Sequence, residues 1–163
     1  MITKEIMPKH QLIKTKLYPS SQRTKGFKHK ATLGIGGNIG DTIRRFERLF
    51  YYLQKSNQIH IIQTSPILKN PPFGYTKQDD FYNAILVVET SLTPKELLRF
   101  ILRVEKQFGR KRSFKDAPRT LDIDMIFFDD ITMNSRELIL PHPHYSSRVS
   151  VLIPLSHIQR VIR

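Results

Sequence analysis

The sequence predicts an α+β fold with the element order β-α-β-β-α-β, and three observations carry that prediction. A short apolar run, Ala31 to Gly36, ends in glycines and is followed by Ile43, Phe46, Leu49, Phe50 and Leu53 at helical spacing. Two runs rich in β-branched residues, Ile59 to Leu68 and Phe81 to Glu89, flank the loop Pro71-Pro72-Phe73-Gly74. A capped helix starting at Thr93 leads through a basic loop into the alternating run Leu121 to Phe128. Such an order folds as a ferredoxin-like core, an antiparallel sheet with helices on one face. Here it is elaborated at both ends, by residues 1–30 and by the tail after residue 131.

Each element has a local cause. Asp41 is the natural N-cap of the first helix, because its carboxylate can accept from the free amides of the first turn. Gly34-Ile35-Gly36-Gly37-Asn38-Ile39-Gly40 lacks the Lys-Ser/Thr of a P-loop and the spacing of a dinucleotide fingerprint. It reads as a tight strand-to-helix turn where backbone must come close to something. Thr93-Pro94-Lys95-Glu96 sets up a capping box with proline at the first helical position. Leu97, Leu98, Ile101, Val104 and Phe108 form the buried stripe, and Gly109 suits the position that ends the helix. In the last strand Ile126 and Phe128 are expected on the face of Asp122 and Asp124. Residues 1–30 show no sustained period and read as a basic arm, at best partly ordered, beside a single domain over 31–163. Their scattered Ile, Leu and Tyr predict packing on the sheet edge or on a neighbouring subunit.

Composition excludes several classes. With 39% hydrophobic and 25% charged residues, the chain is neither disordered throughout nor, lacking a run of about 18 apolar residues, a membrane span. No cysteine is present, which removes disulfides and thiol chemistry and suits a reducing compartment; the cytoplasm is the expectation. No apolar stretch follows the first charges as a signal peptide would require. The net charge of +13 is concentrated in two segments. Residues 1–30 carry eight basic residues against Glu5 alone, and residues 99–119 carry eight against Glu105 and Asp116. A localised cationic stretch calls for an anionic partner, either a nucleic-acid backbone or the phosphates of a small molecule.

The sharpest chemical feature is Asp122-Ile123-Asp124, since residues i and i+2 of a strand point the same way and present two carboxylates on one face. Hard oxygen ligands of this kind suit Mg²⁺ together with nucleotide phosphates, although paired acids also occur on solvated sheet faces. The basic loop Arg110 to Arg119 runs straight into this strand. Beside a metal site its cations become candidates for gripping a polyphosphate; alone they would be a solvated or nucleic-acid-binding run. His142 and His144 lack a third partner for a metal, which leaves a phosphate contact by His142 as the smaller claim. Asn83 is either a satisfied buried amide or the reader of a heterocycle edge.

Several motifs then fall into one order: Gly36-Gly37-Asn38, Asn70-Pro71-Pro72-Phe73-Gly74, Phe81-Tyr82-Asn83-Ala84, Glu105 with Gly109-Arg110, Ala117-Pro118-Arg119-Thr120-Leu121-Asp122-Ile123-Asp124, and Leu140-Pro141-His142 with Arg148 and Pro154-Leu155. Together, over about residues 31–158, they resemble the 6-hydroxymethyl-7,8-dihydropterin pyrophosphokinase family. The resemblance implies transfer of the β,γ-pyrophosphate of ATP to the pterin hydroxymethyl group, with release of AMP, in folate biosynthesis. It implies that Asp122 and Asp124 hold two Mg²⁺ ions, and that Arg110 and Arg112 belong to a mobile catalytic loop. It places Glu105, Arg110, Lys115, Arg119, Ile123, His142 and Arg148 at ATP, and Asn70, Pro71, Phe73, Phe81 and Asn83 at the pterin. Three departures stand out: Asp116-Ala117 replaces the family's Trp-Gly, Gly37 replaces Ser as a small change in a turn, and Ser150 stands where a pterin-stacking Phe is common. Phe81 can still stack on one side; Phe73 or Tyr75 is expected to supply the other ring, or the pterin binds less tightly.

Two other readings compete. A basic RNA-binding module would use the same fold, but no aromatic ribonucleoprotein consensus marks the central strands and paired aspartates repel a phosphate backbone. An Asp-x-Asp nucleotidyltransferase would keep the metal and release pyrophosphate instead of AMP. The expectation is a monomeric enzyme working on ATP and a pterin, without nucleic acid or membrane.

Overall fold

The elements expected from residue 31 onward form, one of them divided in two, and ordered structure continues on both sides. The structure, a computed structural model, describes residues 1–111 and 113–159. In chain order the strands are β1 (Ile2–Met7), β2 (His10–Lys14), β3 (Ser20–Ser21), β4 (His29–Gly37), β5 (Ile59–Thr64), β6 (Ile67–Asn70), β7 (Phe81–Thr90), β8 (Asp122–Phe128), β9 (Met133–Asn134) and β10 (Ile139–Leu140). The helices are α1 (Thr42–Gln54), α2 (Pro94–Gln107) and α3 (Val149–Ser156), the last preceded by a 3₁₀ turn at Tyr145–Ser147. Eight strands make one sheet in the order β1-β2-β6-β7-β4-β8, with β5 alongside β7 and β3 alongside β5; β9 and β10 pair separately. All pairings are antiparallel.

The capping chemistry is as the residue types demand. The Asp41 side chain accepts from the Arg44 amide, and Thr93 and Glu96 close a reciprocal capping box. At the other end of α2, Gly109 takes φ +84°. Its amide donates to the Lys106 carbonyl and that of Arg110 to the Glu105 carbonyl, the double closure of a Schellman motif. That motif turns the chain out of the helix and aims Arg110 back toward β8.

The single strand expected over Ile59 to Leu68 is two. Pro66 has no amide to offer the ladder. Ser65 carries the pairing past it, its amide donating to the Ile85 carbonyl and its hydroxyl accepting from the Ile85 amide. As a result β5 pairs with the second half of β7 and β6 with the first. Strict alternation in β8 also fails. An irregularity in its pairing with β4 sets Thr32 opposite Phe127 and Leu33 opposite Met125, so Ile126 is an extra residue. Phe127 thereby joins Ile126 on the carboxylate face, and Phe128, expected there, turns to the helical face.

The larger core lies between the sheet and α1 and α2, built from Leu33, Ile35, Phe46, Leu49, Leu97, Ile101 and Ile123. The opposite face carries Ile85, Val87, Ile126 and Phe127, on which α3 sets Leu155 with Ile158 just beyond it. Helices therefore cover both faces, and the one supplied by the tail starts beside the carboxylates.

Residues 1–30, expected to be at best partly ordered, are tied into this framework. β2 adds to the edge of β6 and buries Leu12 and Ile13, which matches the expected packing on the sheet edge. Tyr18 is fully buried against Phe46 and Phe50 and donates its hydroxyl to the Phe46 carbonyl at 2.8 Å. Glu89, 0% exposed, accepts from the Thr24 hydroxyl and from the amides of Lys25 and Gly26. Burial alone would raise the Glu89 pKa, but those donors outweigh it and hold the carboxyl below its ordinary range. A depressed carboxylate stabilises the fold above its unfolded-state pKa and loses that contribution as pH falls through the folded value. Glu89→Gln is therefore expected to cost about 2 kcal/mol at pH 7, with the gap from the unsubstituted protein narrowing as urea unfolding is repeated toward pH 3.

Candidate active site

Two glycines shape the floor of the main cavity. Gly36 on β4 is opposed by Asn83 on β7 and by Asp122 on β8, while Gly34 is opposed by Ile85 and Asp124. Opposed residues on neighbouring strands share a face, so an amide and two carboxylates flank a strand without side chains. A Cβ at Gly36 would lie 2.6 Å from the Asn83 Oδ1 atom and fill the trough. Above this floor is a cavity of about 600 Å³, closed on the far side by the start of α3.

One end is suited to a flat heterocycle. Asn70, Pro71, Phe73, Phe81 and Asn83 line it. Asn83 Nδ2 donates to Asn70 Oδ1 at 2.6 Å, and the Asn70 amide is turned by its own bond to the Pro71 carbonyl. Asn83 Oδ1 has no partner among the described residues, so the amide is fixed in orientation with an acceptor to spare. Phe73 is 75% exposed at the rim. Tyr75, expected as an alternative ring, packs edge-on against Phe114 with centroids 5.0 Å apart and does not line the cavity.

The other end is charged. Asp122 is gripped through both oxygens, by Arg110 Nη1 at 2.8 Å and Arg119 Nη1 at 3.0 Å. The Arg119 guanidinium also lies over the Phe81 ring, 5.7 Å from its centroid, which joins the two ends. Asp124 has no ion-pair partner among the described residues. Burial, with Asp122 beside it, pushes its carboxyl up to about 7 against the pull of Arg148, Arg119 and Arg110. Lys115, Arg119 and Arg148 line this part of the cavity. A two-carboxylate face with one acid lacking an ion-pair partner among the described residues, open to three cations, fits a divalent ion that arrives with phosphate oxygens.

Other expected residues sit behind the wall. Glu105 is buried on α2, where its carboxylate accepts from the Ile123 amide at 2.6 Å and Arg110 lies 3.9 Å away. Ile123 packs its side chain into the helical core. His142 is absent from the cavity lining; its Nδ1 accepts from the His144 amide, and burial followed by the Arg148 and His144 charges holds its pKa low. Arg112 lies outside the described residues. The lining also holds residues to which sequence reasoning gave no role there: His10, Ser147, Val149 and Val151.

The loops around the cavity converge on Asn38, which is 5% exposed. Its Oδ1 accepts from the Arg119 amide, its Nδ2 donates to Gln78 Oε1 and the Asp79 carbonyl, and its own amide donates to the Arg119 carbonyl. Gly37 permits this approach, since a Cβ there would stand 2.6 Å from the Thr120 carbonyl oxygen. The glycine is thus a requirement of this backbone and not the small change expected of a turn. Gln78 Nε2 in turn donates to the Asp116 carbonyl, so the Pro-Pro loop and the basic loop are laced together.

Comparison with known proteins gives a family and several relatives. The 7,8-dihydro-6-hydroxymethylpterin-pyrophosphokinase (HPPK) family matches residues 32–160. A 2-amino-4-hydroxy-6-hydroxymethyldihydropteridine pyrophosphokinase of Helicobacter pylori is 41% identical over 149 residues, covering 90% of this chain and 91% of the relative. The enzyme of the same name from Campylobacter jejuni is 39% identical over 146 residues, covering 89% and 93%. That from Bacillus subtilis is 34% identical over 128 residues, covering 78% and 77%. The two longer alignments exceed the length of residues 31–163 and so reach into the N-terminal segment.

The buried acids make a test of the geometry. Burial first, opposed by the Ile123 amide, raises the Glu105 carboxyl to about 7. The folded protein then binds a proton that the unfolded chain has released between about pH 4.5 and 7, and stability falls as pH rises through that window. Glu105→Gln keeps an acceptor for Ile123 and has no proton to lose. Its urea midpoint, measured without divalent cations, is expected to fall less steeply than that of the unsubstituted protein between pH 5 and 8.

Proposed function

The chain belongs to the 7,8-dihydro-6-hydroxymethylpterin-pyrophosphokinase family and transfers pyrophosphate from ATP to 6-hydroxymethyl-7,8-dihydropterin in folate biosynthesis; on that premise we propose that the two substrates meet over Gly34 and Gly36. The observation that carries the proposal is the row Asn83, Gly36, Asp122 on one sheet face. It sets an oriented amide and a carboxylate pair on either side of a bare strand, the width of which a flat ring and a polyphosphate can share. In this reading the pterin lies at the Asn70, Pro71, Phe73, Phe81 and Asn83 end, and Asn83 reads its edge.

Asp122 and Asp124 would hold Mg²⁺, two ions brought with ATP, and the metal would supply positive charge to the phosphate oxygens. The side chains do the positioning. Arg110 and Arg119 fix Asp122 through both oxygens; Lys115, Arg119 and Arg148 meet the triphosphate, with His142 beside Arg148. Arg110 and Arg112 belong to the loop whose closure excludes water, so that pyrophosphate passes to the pterin and not to hydrolysis. The pterin hydroxyl oxygen forms its bond to the β-phosphorus as the bond from that phosphorus to the bridging oxygen breaks. AMP leaves with that oxygen, and the hydroxyl proton is released. Glu105 and Ile123 act from behind β8, the buried carboxyl holding the backbone between the two aspartates. Among the described residues no helix is long and apolar enough to cross a membrane. A monomeric cytoplasmic enzyme that uses no nucleic acid completes the proposal.

The reaction is tested by following AMP from ATP and Mg²⁺ with and without the pterin. Pterin-dependent AMP without free pyrophosphate is expected; free pyrophosphate would signal nucleotidyl transfer. Asp122→Ala and Asp124→Ala are each expected to lower kcat by at least ~100-fold while the cooperative unfolding transition persists. Normal turnover in both would remove the metal assignment.

A further inference from the structure

The N-terminal hairpin reaches the cavity from outside the family match of residues 32–160. β2 pairs with β6 through Gln11 opposite Lys69 and Leu12 opposite Leu68, and β6 pairs with β7 through Leu68 opposite Asn83 and Asn70 opposite Phe81. Opposed residues share a face, so Leu12, Leu68 and Asn83 form one row across the sheet. The adjacent row on that face pairs Asn70 with Phe81, and continuing the β2 register by one residue sets His10 beside Asn70. His10 is thus the outer member of the row that carries the heterocycle end of the cavity, and it lines that cavity.

Its ring is not free to turn at will. Nδ1 lies 2.8 Å from the Pro8 carbonyl oxygen, which can only accept, so Nδ1 carries the proton of the neutral ring. Nε2 is then an acceptor, and it has no partner among the described residues. The ring is oriented from behind by the turn Pro8-Lys9, where Lys9 adopts φ +64° to bring Met7 opposite His10. Across the cavity the wall is the first turn of α3, where the side chain of Ser150 is short. His10 and Ser150 thus belong to the lining of one cavity, the first from β2 and the second from α3.

We propose that His10 is a specificity-determining residue for the pterin, closing the heterocycle end of the cavity with its ring and accepting, through Nε2, a hydrogen bond from an N–H group on the pterin edge. This rests on the reading of that end as the pterin site. A dihydropterin carries ring N–H and amino donors beside its carbonyl, and Asn83 Oδ1 is the other uncommitted acceptor on the same floor. Two fixed acceptors on one face favour a ring with two donors and disfavour an analogue lacking one.

Steady-state kinetics with each substrate varied tests this on the full chain, using His10→Ala, His10→Gln and His10→Phe, with Asn83→Ala as the reference. His10→Ala is expected to raise the pterin KM about tenfold, roughly one neutral hydrogen bond, with the ATP KM and kcat within about twofold. Gln, which retains an acceptor, recovers most of the loss; Phe, which retains only the plane, does not. An unchanged pterin KM in His10→Ala alongside a raised one in Asn83→Ala would overturn the proposal and leave the cavity reading standing. If neither variant changes the pterin KM, the pterin site itself is misplaced and the proposal falls with it. A loss in all three His10 variants that tracks a lowered Tm and raises both KM values would make His10 structural and also overturn it.

Discussion

A single buried amide holds the site in register. Asn38 sits in the turn after β4, where the Pro-Pro loop and the approach to β8 come together, and it bonds to both of them. None of those segments has a core of its own, and each would otherwise pay chain entropy for order without apolar burial in return. Because Arg119 is bonded to Asn38 through its backbone, its guanidinium starts from a fixed point when it reaches Asp122 and Phe81. The positions of the carboxylates, the cation and the heterocycle wall are therefore one problem with one solution. Gly36 and Gly37 belong to it as well, since both neighbours they admit, Asn83 and the Thr120 carbonyl, are closer than a side chain allows.

The electrostatics of the protein divide its buried acids by environment. Glu89 is buried yet ionised, because three donors surround it. Glu105 and Asp124 are buried with too little compensation and are pushed to about 7. Asp122 has two guanidinium partners. On the cavity face Asp124 is the carboxylate left short of positive charge, without an ion pair among the described residues. Burial and charge thus distinguish two aspartates that the sequence presents as equals.

The central β-α-β-β-α-β order was legible because each element is announced by local chemistry: Asp41 and Thr93 cap, Gly109 terminates, and Asp122 and Asp124 alternate with Ile123. The family likeness was legible from ordered motifs in the same stretch, and the matched residues 32–160 agree with it. What escaped depends on distant partners. The division of the expected strand at Pro66 rests on Ser65 reaching across to Ile85, a partner 20 residues away. The extra residue at Ile126 depends on β4, so alternation within β8 could not reveal it. The first 30 residues gave no period because β1 is exposed on both faces and β2 is buried on both at Leu12 and Ile13. The anchors that follow, Tyr18 and Thr24, find their partners 28 and 65 residues away. With that segment unread, the presence of His10 in the cavity was out of reach.

The outer strand of the hairpin has a bearing on how the molecules behave toward one another. Without β1 and β2 the sheet would end at β6, a short strand with Ile67 and Leu68 fully buried and a free row of amides and carbonyls. Such an edge is a template for strands of other copies. β1 replaces it with an edge bearing Lys4 and Glu5 and an irregularity between Glu5 and Met7. Charge and a broken register are the features that discourage edge-to-edge stacking. The segment richest in lysine thus guards the sheet at its most adhesive border, and at the high concentrations of a crowded cell it keeps neighbouring sheets from growing into one another.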